Sequence, residues 1–162
     1  MPIVTDKNKR CQEPTSYQLD LGEEYEDILV EWFKCQGVDA YRPRQRFSDK
    51  RLLRQYQRDL LIKLDAVKRL SVEVKALTPY AFYKDLIHIG CTEKWDDKRF
   101  RVDLIVLINQ GTGEMWTVPT DASEWVKKSS IYKSGNSSGY DYAIHRSKLK
   151  PLTGWVEDFK NR

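Results

Sequence analysis

Arg58-Asp59-Leu60-Leu61-Ile62-Lys63-Leu64-Asp65, followed after a short connection by Ser71-Val72-Glu73-Val74-Lys75-Ala76-Leu77, is the stretch on which the reading of the fold turns. Both runs are rich in Leu, Ile and Val, with charged residues interleaved at alternate places, the pattern of two half-buried strands. Glu73 and Lys75 are two apart, so a strand puts them on one face. A three-residue loop, Ala66-Val67-Lys68, would pair Asp65 with Arg69 as opposite charges, Leu61 with Glu73 and Asp59 with Lys75. That register gathers Asp59, Glu73 and Lys75 on one side of a hairpin.

Two carboxylates and an ammonium in such a place suit metal-assisted hydrolysis of a phosphodiester. Carboxylate oxygens hold a hard cation such as Mg²⁺. A bound cation polarises a phosphoryl oxygen and makes its water more acidic, and a lysine can orient that water or stabilise developing negative charge. A strand with a salt-bridged solvent face has the same residues, and Glu-x-Lys alone does not separate the two readings.

A chain of 162 residues is expected to form one main domain with a real core. We read residues 1–18, polar and without periodicity, as a loose arm and 19–162 as a single domain. No apolar run approaches the roughly 18 residues of a membrane span, and no signal-peptide core stands at the N-terminus. Cys11, Cys35 and Cys91 are odd in number and widely spaced, which speaks against a disulfide framework or a zinc site and for an intracellular, cytoplasmic setting. The net charge of +4 is mild, so the placement of charge matters more than its sum.

Asp20 and Glu23 have capping-box spacing, and Tyr25, Ile28, Leu29, Trp32 and Phe33 follow as an apolar stripe, predicting a helix over about 20–36 that stops at Gly37. Glu26 lies at the edge of this stripe beside Leu29, Val30 and Phe33. From there it can lean into a site between helix and sheet, or serve as an ordinary solvated acid. Val38–Tyr41 reads as a short edge strand. The next seventeen residues, 42–58, carry seven basic groups, Arg42, Arg44, Arg46, Lys50, Arg51, Arg54 and Arg58, against one acid, with Phe47 and Tyr56 interleaved. A solvated loop could hold them, but the imbalance and the position directly before Asp59 favour phosphate contact.

Beyond Lys75, Pro79 ends the strand, and Tyr80, Phe82 and Tyr83 either line a groove or pack. Leu86–Cys91 reads as a strand, Val102–Ile108 as a central one, residues 109–113 as a turn and Met115–Val118 as its return. Asp121 is expected to cap a short helix through Lys128, Ser129–Gly139 to be a flexible loop, Tyr140–His145 a last strand and Leu149–Phe159 a terminal helical segment. His88 and His145 are isolated and have no second His or Cys at ligand spacing, so they read as packing or surface positions. No phosphate-binding glycine loop, dinucleotide fingerprint or nucleophile elbow is present, and the cysteines read as structural thiols.

Taken together, Glu26 on an early helix ending at Gly37, a basic loop, Asp59, and Glu73-Val74-Lys75 on the next strand resemble the PD-(D/E)xK nuclease superfamily. The pattern over residues 22–77 is most similar to that of archaeal Holliday-junction resolvases. Arg58 stands where the family usually has Pro, and residues 78–162 match no one branch. The resemblance implies an α/β, restriction-endonuclease-like fold, with a mixed β-sheet core flanked by helices. It further implies a Mg²⁺-dependent deoxyribonuclease (Mn²⁺ substituting) acting on DNA, often as a homodimer. By that carry-over Asp59 and Glu73 are metal ligands, Glu26 supports the metal site, and Lys75 positions or activates the attacking water. The rival expectation is a non-catalytic module that binds nucleic acid or protein on the same fold.

Overall fold

The computed structural model describes residues 16–43, 59–92, 95–96, 101–129 and 139–162. Helix α1 spans Ser16–Cys35. It begins earlier than the capping residues suggest, so Asp20 lies inside it: Gln18, Leu19 and Leu21 are good helix formers and let the helix propagate back past Asp20. It ends as expected, because Gly37 takes the left-handed conformation (φ 79°) and the Val38 amide reaches back to the Phe33 carbonyl at 2.9 Å. Its buried row is Leu29, Val30 and Phe33, while Ile28 is 44% exposed. The helix is thus rotated from the predicted stripe toward Val30, and Glu26 heads the buried row, three and four residues before Leu29 and Val30.

Among the described residues nine strands follow. The main sheet has the order β1-β2-β3-β5-β6-β9, from Ala40–Tyr41, Leu60–Lys63, Arg69–Leu77, Leu104–Asn109, Met115–Val118 and Lys150–Pro151. The pairing of β3 with β5 is parallel and the others are antiparallel. A second, antiparallel sheet has the order β4-β8-β7, from Leu86–Cys91, Tyr140–His145 and Val126–Ser129. Helix α2, Leu152–Lys160, closes the chain.

The alternation of β3 and β5 sorts the layers. Val72 and Val74 of β3, with Leu104, Val106 and Ile108 of β5, pack with Leu29, Val30 and Phe33 of α1 and Leu152 and Val156 of α2. Ile105 and Leu107, on the opposite face, pack with Ile87, Ile89, Tyr142 and Ile144 of the second sheet and with Trp95 and Trp125. All six residues of β5 are buried between these layers, and each large apolar side chain so enclosed contributes about 1.5–3 kcal/mol. The helices therefore cover one face of the main sheet, and the small sheet covers the other.

Three local expectations are corrected. The β2–β3 hairpin pairs Lys63 with Arg69, Leu61 with Ser71 and Leu60 with Val72, two residues away from the predicted register, and residues 64–68 form the turn. Asp65 explains the wider turn: its carboxylate accepts from the Val67 and Lys68 amides, both at 2.8 Å, so no glycine is needed. Its predicted partner Arg69 instead donates to the Asp65 and Lys68 carbonyls and to the Tyr41 hydroxyl. Asp121 does cap a turn, accepting from the Ser123 amide at 3.0 Å, but the turn ends at Glu124, and residues 126–129 form β7 because pairing with β8 satisfies their backbone. The terminal helix starts at Leu152, after Lys150–Pro151 has paired with β6. Residues 1–15 of the expected arm and 130–138 of the expected loop lie outside the described residues.

Candidate active site

Pairing with β2 covers Arg69–Val72 of β3 and stops. One step further the ladder would place Asp59 opposite Glu73. There the Asp59 side chain replaces the missing strand: its Oδ2 accepts the Val74 N–H at 2.9 Å. The corrected register thus brings Asp59 level with Glu73. A shift of two keeps the side-chain alternation within β2 and β3, while Asp59 itself lies just before β2.

Three other groups approach this point. Glu73 pairs with Ile105 and Lys75 with Leu107 across the parallel ladder, which sets both on the face toward the second sheet. Glu73 is buried, 5% exposed. Lys75 is partly buried, and its ammonium donates to the Ile89 carbonyl of β4. Glu26 comes from the helix face, its side chain 17% exposed. Burial, and then the charge of Asp59, push the Glu26 pKa up to about 8. Glu26 and Asp59 are thus electrostatic neighbours, and Asp59 bonds the amide of Val74, the residue between Glu73 and Lys75.

Arg42, directly after β1, ion-pairs with Glu26 at 3.2 Å, Asp27 at 3.1 Å and Glu23 at 3.8 Å. The basic segment therefore starts at Arg42 beside Glu26 and ends just before Asp59, which also faces Glu26 electrostatically. Arg44, Arg46, Lys50, Arg51, Arg54 and Arg58 lie outside the described residues.

Carboxylate oxygens are the ligands a hard divalent cation takes, and the repulsion that Asp59 exerts on Glu26 is what such a charge would relieve. In kind, then, Glu26, Asp59 and Glu73 fit Mg²⁺ or Mn²⁺. In placement they are divided between the two faces of β3. Among the described residues no three His, Cys, Asp or Glu side chains form a ready metal cage.

One pair escaped the sequence reading. His88 of β4 lies 3.1 Å from the Asp141 carboxylate of β8, and Asp141 is buried, 6% exposed. The available signal was a lone acid in the otherwise uncharged run Tyr140–Ile144, which needs a partner if buried.

No protein-family model matches the sequence, and no curated protein matches it. Among solved structures, Hjc, a Holliday junction resolvase from the archaeal hyperthermophile Archaeoglobus fulgidus, superposes with a TM-score of 0.50 at 10% identity, covering 82% of this chain and 98% of its own. The chain has the Hjc fold. D212, a nuclease from a fusselovirus, aligns over 90% of this chain and 92% of its own, at 18% identity and a TM-score of 0.47. The Hjc likeness bears out the expected α/β class, a mixed sheet with helices packed on it. No described helix is long and apolar enough to cross a membrane.

Proposed function

We propose that this protein is a DNA endonuclease that depends on a divalent cation, Mg²⁺ with Mn²⁺ able to substitute, and that it cuts branched DNA such as a four-way junction. The observation that supports this reading is that Asp59, an electrostatic neighbour of Glu26, bonds the Val74 amide between Glu73 and Lys75 on an Hjc-like fold. Asp59 and Glu73, supported by Glu26, would hold the cation, which when bound supplies charge neutralisation at the phosphoryl oxygens and a more acidic water. Lys75 orients the attacking water and stabilises charge developing on the phosphate. Its ammonium is held by the Ile89 carbonyl and so is preorganised. The Val74 amide fixes the Asp59 carboxylate, leaving its second oxygen for other contacts.

The basic segment fits the same reading, because Arg42 at its start bonds Glu26 and Asp59 directly follows it in sequence. Arg42 is occupied by three acids of α1, so its part in DNA binding requires exchanging Glu26 for a phosphate. A homodimer, which the resolvase resemblance implies, would present two such sites to a two-fold junction; sedimentation with and without junction DNA measures it. The deciding experiment is cleavage of supercoiled plasmid, duplex and four-way junction DNA with Mg²⁺, Mn²⁺ or chelator. Metal-dependent cutting with preference for the junction is expected. Binding without cleavage under every condition would leave a non-catalytic DNA-binding module instead.

A further inference from the structure

Strand β4 carries a defect where it faces Lys75. His88 pairs with Ala143 and Gly90 with Tyr142, the very next residue of β8, so Ile89 is an extra residue, a β-bulge. A bulge leaves the backbone of the extra residue outside the regular ladder and re-aims its neighbours. Here the Ile89 carbonyl takes the Lys75 ammonium. Gly90 is required beyond it, because a Cβ there would lie 2.6 Å from the indole nitrogen of Trp95. The same irregularity holds the half-exposed imidazole of His88 next to the residue that binds Lys75, and the Asp141 carboxylate holds its Nε2 at 3.1 Å.

We propose that His88, oriented by Asp141, is the proton acceptor for the water whose attack Lys75 directs. This deepens, and rests on, the reading of the site as a phosphodiester-cleaving one. A carboxylate at Nε2 fixes the tautomer: the ring donates through Nε2 and keeps its lone pair on Nδ1. In the step, a water O–H bond breaks and its proton goes to Nδ1, while the water oxygen bonds to phosphorus. The phosphorus–oxygen bond to the leaving deoxyribose oxygen breaks, and that oxygen takes a proton from solvent. The imidazolium, paired with Asp141, later releases its proton to solvent.

The charged groups acting on the ring from the packed elements are Lys75 of β3, Asp141 of β8 and Lys128 of β7. Burial first, then the Lys75 charge, lower the His88 pKa below its ordinary 6.5, with Lys128 adding to the effect and Asp141 opposing it. A neutral ring near pH 7 is the form a base requires. The geometric link is that Lys75 donates to the carbonyl of Ile89, the residue that follows His88 in β4.

The test uses the full-length protein, Mg²⁺ and the best-cleaved DNA. His88→Gln can still donate to Asp141 but cannot take the proton. It is expected to lose about 10²-fold or more in single-turnover rate, keep DNA affinity, and lose the acid limb of the pH–rate profile below pH 6.5. His88→Ala should behave likewise and regain rate with imidazole in the buffer. Asp141→Asn should shift the acid limb to lower pH, because the carboxylate holds the ring pKa up. If the wild-type protein cleaves DNA and His88→Gln keeps its rate and profile, or loses rate without rescue and with the limb unmoved, this inference is overturned and the nuclease reading stands. If the wild-type protein cleaves no DNA with Mg²⁺ or Mn²⁺, the nuclease reading itself falls, and the inference with it.

Discussion

The Asp59 carboxylate and the Val74 amide, 2.9 Å apart, join the end of the basic segment to the strand that carries Glu73 and Lys75. Beyond Val72 no described residue of β2 pairs with β3, so this side chain does what a strand would have done. The same contact fixes a charge beside Glu26. One bond thus serves both fold and site, and substitutions can separate the two roles.

Asp59→Asn keeps a carbonyl oxygen able to accept from Val74 and removes the charge. Asp59→Ala removes both. The expected outcome is that both variants lose DNA cleavage. Only Asp59→Ala should lose clear stability, on the order of 1 kcal/mol for a partly buried amide left without its acceptor, read as a shift in urea midpoint at constant slope. Equal stability of the two variants would mean that the Val74 bond carries no weight.

Lys75→Ala is expected to lower the cleavage rate by about 10²–10³, the magnitude of a removed charge-stabilising donor, while junction affinity at fixed salt changes little. Fluorescence anisotropy with a labelled junction reads the affinity and a quenched-flow assay the rate. Loss of affinity in step with rate would reassign Lys75 from chemistry to DNA binding.

Glu26 carries a pH signature. Its folded pKa is raised to about 8 from the ordinary 4.5, by burial and then by Asp59. The folded state therefore holds a proton that the unfolded chain has released across that window. The contribution of this group to stability is fully present below about pH 4.5 and is lost as pH rises through about 8. Glu26→Gln should accordingly stabilise the protein at pH 8 relative to wild type and make little difference at pH 4. Because Glu26 must lose this proton to act as a ligand, Mg²⁺ or Mn²⁺ binding near pH 7 should release protons. Calorimetry in buffers of different ionisation heat measures them, and the release should vanish in Glu26→Gln.

The sequence made these tests writable because the features it announces are local. Alternation over 60–63 and 71–77 specifies two strands and their faces, and Gly37 marks a helix end, whatever the rest of the chain does. Turn length was not legible, because Asp65 substitutes its own carboxylate for the backbone geometry a glycine would supply. The strand at Val126–Ser129 was missed because its pairing with Tyr140–Ala143 is a tertiary fact that local propensity does not encode. The His88–Asp141 pair spans 53 residues and two strands that β-bulge geometry brings together, so neither residue alone signals the other.

Asp65 offers a control for the choice of aspartate. It is exposed at the turn, and the Lys68 and Val67 amides hold its pKa below the ordinary 3.8. A lowered carboxylate pKa contributes stability above the unfolded value and loses it as pH falls through the folded one. Asp65→Asn should therefore weaken the hairpin at neutral pH, approach wild type in strong acid, and leave cleavage intact. The opposite ranking, with Asp65→Asn inactive and Asp59→Asn active, would remove Asp59 from the proposed site.

The final prediction concerns the basic segment. Its first residue, Arg42, bonds Glu26 at 3.2 Å, and Asp59 directly follows its last in sequence, so it is the proposed DNA contact of this site. Each phosphate neutralised on a duplex adds roughly −0.9 to the slope of log K against log salt. Changing Arg44, Arg46 and Arg51 together to Ala should flatten that slope by up to about 2.7 and weaken binding to all sequences alike, since phosphate contacts position DNA without reading bases. Arg42→Ala should act differently, because its guanidinium also neutralises Glu26: the variant should gain affinity for Mn²⁺ in the absence of DNA while losing some for DNA. A triple variant with an unchanged slope would move the DNA path elsewhere, toward Lys127 and Lys128 of β7 and the Ser129–Gly139 segment, and Lys127→Ala with Lys128→Ala would then be the pair that flattens it.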